Sequence, residues 1–241
     1  MKGRIFTTII ASTLMLSCVS SSVTTQSVEV QEPMREILHK ADVAAMSPDS
    51  VLSILKSGND NFVSGSLQPR DAMAQLTTSA VDGQAPLAIV LSCIDSRVPV
   101  EILFDKGVGD LFVTRVAGNV VSGDILGSME YACEHAGSKV VLVLGHESCG
   151  AVHSACEGAE AGNMTAMLAK IKPAIAAAGA ESDLDHHSLE FQNLVVEHNV
   201  KLMIDEVRRG SEILSHLEEE GTIKIVGAIF SLTTGEVTLL D

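Results

Sequence analysis

Two short peptides carry the residue types from which chemistry can be built: Cys93-Ile94-Asp95-Ser96-Arg97 and His146-Glu147-Ser148-Cys149. Together they offer two thiolates, one imidazole and a neighbouring carboxylate, a donor set suited to zinc. A structural zinc knot usually closes with four Cys or His ligands at paired CxxC spacing. Here Cys93, His146 and Cys149 supply only three soft ligands. The fourth candidate, Asp95, has Arg97 two residues away, and a guanidinium fork can grip a carboxylate and keep it off a metal. The set reads as a metal kept open for chemistry, with a water in the remaining position and its pKa lowered toward ~7. Two thiolates cancel the metal's charge and weaken that effect, so something must assist deprotonation. Asp95 is close enough either to ligate zinc or to accept a hydrogen bond from the water. The competing arrangement is a closed site in which Asp95 is a fourth ligand and the zinc only staples two strands.

Composition narrows the function classes. The chain has 241 residues, with 31 acidic against 16 basic side chains and a formal net charge of −15. That balance argues against binding to phosphate backbones. With no Trp, one Tyr and six Phe, stacking platforms for single-stranded nucleic acid are lacking as well. Lys2 and Arg4 precede an apolar run over residues 5–16, too short to span a bilayer comfortably. The run ends in Leu14-Met15-Leu16-Ser17-Cys18, which resembles a bacterial lipobox with Met15 where Leu is usual. The expectation is export to the periplasmic side of a bacterial membrane, with Cys18 as the lipidation site and the outer membrane favoured. Residues 1–17 then form a signal peptide and the polar, Ser/Thr-rich stretch 18–33 a tether. Export raises the question of disulfides. Cys93 and Cys149 each follow an apolar strand-like run, which favours a metal site; Cys133 reads as a small buried residue, and Cys156 is open to either role.

The elements that must position these residues follow from hydrophobic patterning. Helices are expected over 34–46 and 48–63, the second capped by Ser47 with Pro48 at its first position and weakened in the middle by Gly58. Residues 87–92 and 140–144 are continuous apolar runs, which favour buried parallel strands. Further strands are expected over 111–116, 223–230 and 236–240, and helices over 99–105, 124–135, 150–157, 164–178, 189–209 and 212–219. The alternation predicts an α/β fold, with a mainly parallel central sheet flanked by helices and an N-terminal helical arm, as one domain over 34–241. No glycine-rich phosphate loop follows any strand, so nucleotide binding has no support. Both chemical peptides fall at the carboxyl ends of strands, where sites form in such sheets.

At this point the sequence resembles the β-class carbonic anhydrases. The likeness runs from about residue 51 to 241 and includes Gln84-Ala85-Pro86-Leu87, Cys93 to Pro99, Asp110 to Asn119, Glu130-Tyr131-Ala132, Gly145 to Gly150 and Val226-Gly227-Ala228. It implies zinc bound by Cys93, His146 and Cys149 with the Asp95–Arg97 pair beside it, and reversible hydration of carbon dioxide to bicarbonate and a proton. It also implies that Gln84 contacts bicarbonate and that Phe112 and Tyr131 line the pocket from a neighbouring subunit, so that a homodimer or a dimer-based oligomer is the active unit. Each has a plainer role open to it: a loop residue for Gln84, a core strand residue for Phe112, a helix-packing residue for Tyr131. His153, four residues after Cys149, is either a proton shuttle or merely exposed. Two other functions share the scaffold: hydrolysis of carbonyl sulfide or carbon disulfide, and a non-catalytic exported zinc-binding protein.

Overall fold

The computed structural model describes residues 38–240; the expected signal peptide, the tether and Cys18 lie outside the described residues. Helices α1 (Lys40–Ala44), α2 (Pro48–Ser64) and α3 (Ala72–Asp82) lead into β1 (Ala88–Ser92). Then come α4 (Val100–Leu103), β2 (Leu111–Arg115), α5 (Gly123–Glu130) and β3 (Val140–His146). Four helices follow, α6 (Gly150–Cys156), α7 (Gly162–Leu168), α8 (Lys172–Glu181) and α9 (Leu189–Gly210). The chain closes with α10 (Glu212–Glu219), β4 (Lys224–Phe230) and β5 (Val237–Leu239). The strands lie in the order β2-β1-β3-β4-β5, parallel except for β5, which runs antiparallel to β4. This is the α/β architecture expected from the sequence.

β1 and β3 are buried along their whole length, because helices cover both faces, and their side chains are apolar except for Ser92 and His146 at the carboxyl ends. Successive side chains alternate between faces. Ile89, Leu91, Val141 and Val143 join the cluster under α9, while Ala88, Val90, Leu142 and Leu144 meet Leu55, Leu103 and Phe104 on the other side. Cys93 continues the Ile89–Leu91 face and is buried in the same cluster.

α9 is the largest buttress of that face. The Ser188 hydroxyl accepts a hydrogen bond from the Phe191 N–H at 3.1 Å and caps its start. Phe191, Val195, Val200, Met203 and Val207 are buried at helical spacing, each contributing at most about 1.5–3 kcal/mol. The helix approaches β3 closely because Gly145 has no side chain: a Cβ there would lie 2.7 Å from Val200 Cγ2 and 2.9 Å from Val196 Cγ1. α9 is thereby fitted against the residue immediately before His146.

Several boundaries depart from the sequence reading. The single helix expected over 164–178 is two, α7 and α8, joined by a tight turn in which Lys170 N–H bonds to Met167 O and Ile171 N–H to Leu168 O. Pro173 explains the break: lacking an N–H, it fits the first turn of α8 but not the interior of a continuous helix. α3 was not expected; Asp71 caps it by accepting from Ala74 N–H at 3.0 Å, and only Gln75 is buried, so no apolar stripe announces it. The helix expected over 124–135 is α-helical to Glu130 and ends in one π-helical turn, Tyr131–His135. Of the first expected helix, α1 occupies Lys40–Ala44, and residues 34–37 lie outside the described residues. No described helix is long and apolar enough to cross a membrane.

Candidate metal centre

The adjacent parallel strands β1 and β3 bring the two peptides together. Cys93 is the first residue beyond β1, His146 is the last of β3, and Cys149 caps the start of α6. Because Ser92 pairs in register with Leu144, Cys93 emerges level with Gly145 and one residue short of His146, at the same carboxyl end of the sheet. Their ligand atoms and that of Cys149 lie within 4.8 Å of one another, all in buried residues, and the sulfurs are 4.0 Å apart. His146 Nδ1 is 2.8 Å from the Glu147 carbonyl. A carbonyl only accepts, so Nδ1 carries the proton and Nε2 keeps its lone pair. Nε2 is buried without a hydrogen-bond partner, which is costly for a polar atom unless a cation takes the lone pair.

The thiols support the same conclusion. The hydrogen bond between them pushes Cys93 well below the ordinary thiol range and, with burial, pushes Cys149 above it. Two buried sulfurs this close hold one proton between them. A divalent cation between them removes the conflict and lets both serve as thiolates. One more donor reaches the sulfur, the Gly118 N–H at 3.4 Å from Cys93 Sγ. It is offered by a 3-10 turn, Ala117–Asn119, whose Gly118 has φ +69° and whose Gly118 carbonyl accepts from Asn199 Nδ2 at 2.9 Å. The residues present fit a soft-donor, tetrahedral ion such as zinc.

Asp95 lies beside this cluster without joining it. Arg97 grips the carboxylate with Nε at 3.0 Å from Oδ1 and Nη2 at 2.7 Å from Oδ2, and its backbone N–H reaches Oδ1 at 2.9 Å. Those bonds hold the Asp95 pKa down at about 2, with the Arg97 side chain as the main cause. Oδ2 remains 3.9 Å from His146 Nε2. Three supports were not anticipated. Arg115 Nε donates to Cys93 O at 2.9 Å and its Nη2 to Asp95 O, bracing the first peptide. Glu147 Oε2 accepts from Ser231 Oγ at 2.8 Å and Leu232 N–H at 3.1 Å. Asn193 Oδ1 accepts from the Ser148 N–H at 3.0 Å. Only Arg115 has a sequence signal, a charge at the end of the strand Leu111–Arg115.

The expected substrate residues lie elsewhere in the chain. Gln84 is exposed just before β1, and the five residues of that strand at ~3.3 Å each separate it from Cys93. Phe112 and Tyr131 meet edge to face at 6.3 Å and line one groove with Ile89 and Gly127, and Tyr131 is 55% exposed. His153 is exposed on α6. Cys133 is buried as expected, Cys156 is half-buried, and every cysteine among the described residues is free of disulfides.

The family model described as carbonic anhydrase matches residues 88–237. Carbonic anhydrase 2 of Mycobacterium tuberculosis is 32% identical over 200 residues, covering 81% of this chain and 94% of that protein. The carbonic anhydrase of Mycolicibacterium smegmatis is 34% identical over 199 residues, covering 80% and 93%. Among solved structures, the Coccomyxa β-carbonic anhydrase in complex with acetazolamide superposes with a TM-score of 0.61 at 28% identity, over 78% of this chain and 86% of that one. A tetrameric β-carbonic anhydrase from Sordaria macrospora shares the fold with a TM-score of 0.63 at 24% identity, covering 80% and 97%. With the metal-ligand cluster at the carboxyl ends of β1 and β3, these matches place the chain in the β-class carbonic anhydrase family.

Proposed function

We propose that this protein hydrates carbon dioxide reversibly to bicarbonate and a proton, at a zinc held by Cys93, His146 and Cys149. The observation that carries the reading is the buried convergence of those three ligand atoms, with the His146 Nε2 lone pair free. Zinc bound there supplies a Lewis acid that lowers the pKa of a coordinated water toward ~7. The protein's own groups do the rest. Arg97 keeps the Asp95 carboxylate ionised and restrained, which leaves one position beside the cluster for water. Asp95 Oδ2, 3.9 Å from His146 Nε2, would accept a hydrogen bond from a water held beside the cluster and so orient it and receive its proton. Arg115 and Glu147 fix the two ligand-bearing peptides, so that this geometry costs no reorganisation during reaction.

The reading extends to a homodimer or a dimer-based oligomer in which Gln84, Phe112 and Tyr131 of the partner subunit complete the pocket. Its support is that Gln84 sits at the far end of β1 from its own metal cluster, while the Tyr131 ring is left exposed. The N-terminal sequence supports an exported protein attached through a lipid on Cys18; lipid labelling abolished by Cys18→Ala is the expected result. For the chemistry, elemental analysis and a stopped-flow pH-indicator assay are paired. Wild type should carry one zinc per chain and hydrate carbon dioxide, and Cys149→Ser should lose both. Full zinc in Cys149→Ser would overturn the ligand assignment.

A further inference from the structure

The turn from His146 to Cys149 places two ligands three residues apart around one ion, and it does so with Ser148 in the left-handed region at φ +53°. A side chain disfavours that backbone unless the surroundings hold it. Glu147 is tied to the sheet, its N–H bonding to Phe230 O at 3.1 Å and its carboxylate to the Ser231–Leu232 segment. Ser148 has a different anchor, since its N–H donates to Asn193 Oδ1 on α9. The Ser148 carbonyl in turn lies 3.4 Å from Arg97 Nη2. One residue thus links α9, the second ligand peptide and the Asp95–Arg97 pair. Asn193 is half-buried, and its neighbours Phe191, Gln192, Val195 and Val196 are buried, so its amide stands on a rigid platform.

We propose that Asn193 is a positioning residue for the metal centre: its amide oxygen holds Ser148 at positive φ, and so sets Cys149 against His146 and the Ser148 carbonyl against Arg97. This rests on the zinc reading above. Supporting residues around metal ligands commonly set retention of the ion as strongly as they set activity.

The test compares zinc-loaded wild type, Asn193→Ala, Asn193→Asp, Ser148→Gly and the double variant that combines Asn193→Ala with Ser148→Gly, each checked for folding by circular dichroism. Two quantities are read: the rate of zinc loss to excess dipicolinate, and the absorption spectrum after cobalt substitution. Asn193→Ala should release zinc roughly ten- to a hundredfold faster and shift the cobalt bands. Asn193→Asp retains the acceptor oxygen and should stay close to wild type. In the Ser148→Gly background, where the positive φ needs no hold, removing the Asn193 amide should matter far less. Wild-type release and an unshifted cobalt spectrum in Asn193→Ala would overturn the proposal. So would an acceleration by Asn193→Ala that is equally large with and without Ser148→Gly. Should Asn193→Ala not fold, Asn193→Gln decides, because it displaces the amide by one methylene; wild-type zinc retention there also overturns it. A wild type that binds no zinc would overturn the metal reading itself, an outcome distinct from a zinc-bound wild type matched by Asn193→Ala.

Discussion

Asp95 is kept ionised by one neighbour. Its folded pKa of about 2 lies below the ~3.9 of an unfolded aspartate. The Asp95–Arg97 pair therefore contributes stability above about pH 4, and loses it as pH falls through the folded value. Activity in the neutral range is accordingly not expected to report Asp95 ionisation. Cys133 behaves oppositely, since burial alone pushes its thiol up to about 12 and leaves it a poor nucleophile. With zinc-loaded protein and iodoacetamide at about pH 8, below the ordinary thiol range, mass spectrometry should find Cys133 unmodified until denaturant is added; rapid native labelling would contradict the burial. At this scale the ligands were legible because Cys and His are scarce and each peptide is contiguous. Asn193 was not legible, because it is one Asn in a long helix whose partner is a backbone N–H 45 residues away, and only the fold brings them together.

Gly58 reads from sequence as a weak point in α2, and replacing it with Ala should by propensity alone stabilise the helix by about 1 kcal/mol. The packing of α2 against the chain after α4 reverses the sign. A Cβ on Gly58 would fall 1.8 Å from the Phe104 carbonyl oxygen and 2.6 Å from its carbon, so backbone must move. Gly58→Ala should therefore destabilise by roughly 1–3 kcal/mol, read as a lower midpoint in chemical denaturation; an unchanged or raised midpoint would contradict this packing. The case shows which elements local pattern reveals. β1, β3 and α9 carry their signal in their own residues, as continuous apolar runs or a stripe at helical spacing. α3 carries almost none, because its sole buried residue is polar Gln75. β3 continues past the expected end at residue 144 to His146 because β4 offers pairing as far as Phe230, information that lies 84 residues downstream in sequence.

Across the whole molecule Gln84 precedes β1, and Phe112 and Tyr131 group with Ile89 near its start, whereas the metal cluster lies beyond its carboxyl end, which is why assembly matters to the proposed activity. Sedimentation of the zinc-loaded protein should give a dimer or a multiple of it, and Gln84→Ala should reduce kcat/KM on the order of a hundredfold while zinc content stays stoichiometric. A monomer with full activity would contradict the shared pocket. In the proposed mechanism Arg97 keeps the metal open by restraining Asp95, which stopped-flow carbon dioxide hydration by Arg97→Ala, with zinc content determined on the same sample, puts to the test. Zinc should remain at one per chain while hydration falls by at least about a hundredfold, because the freed carboxylate takes the position that water needs. Turnover near the wild-type rate by the fully zinc-loaded variant would contradict it.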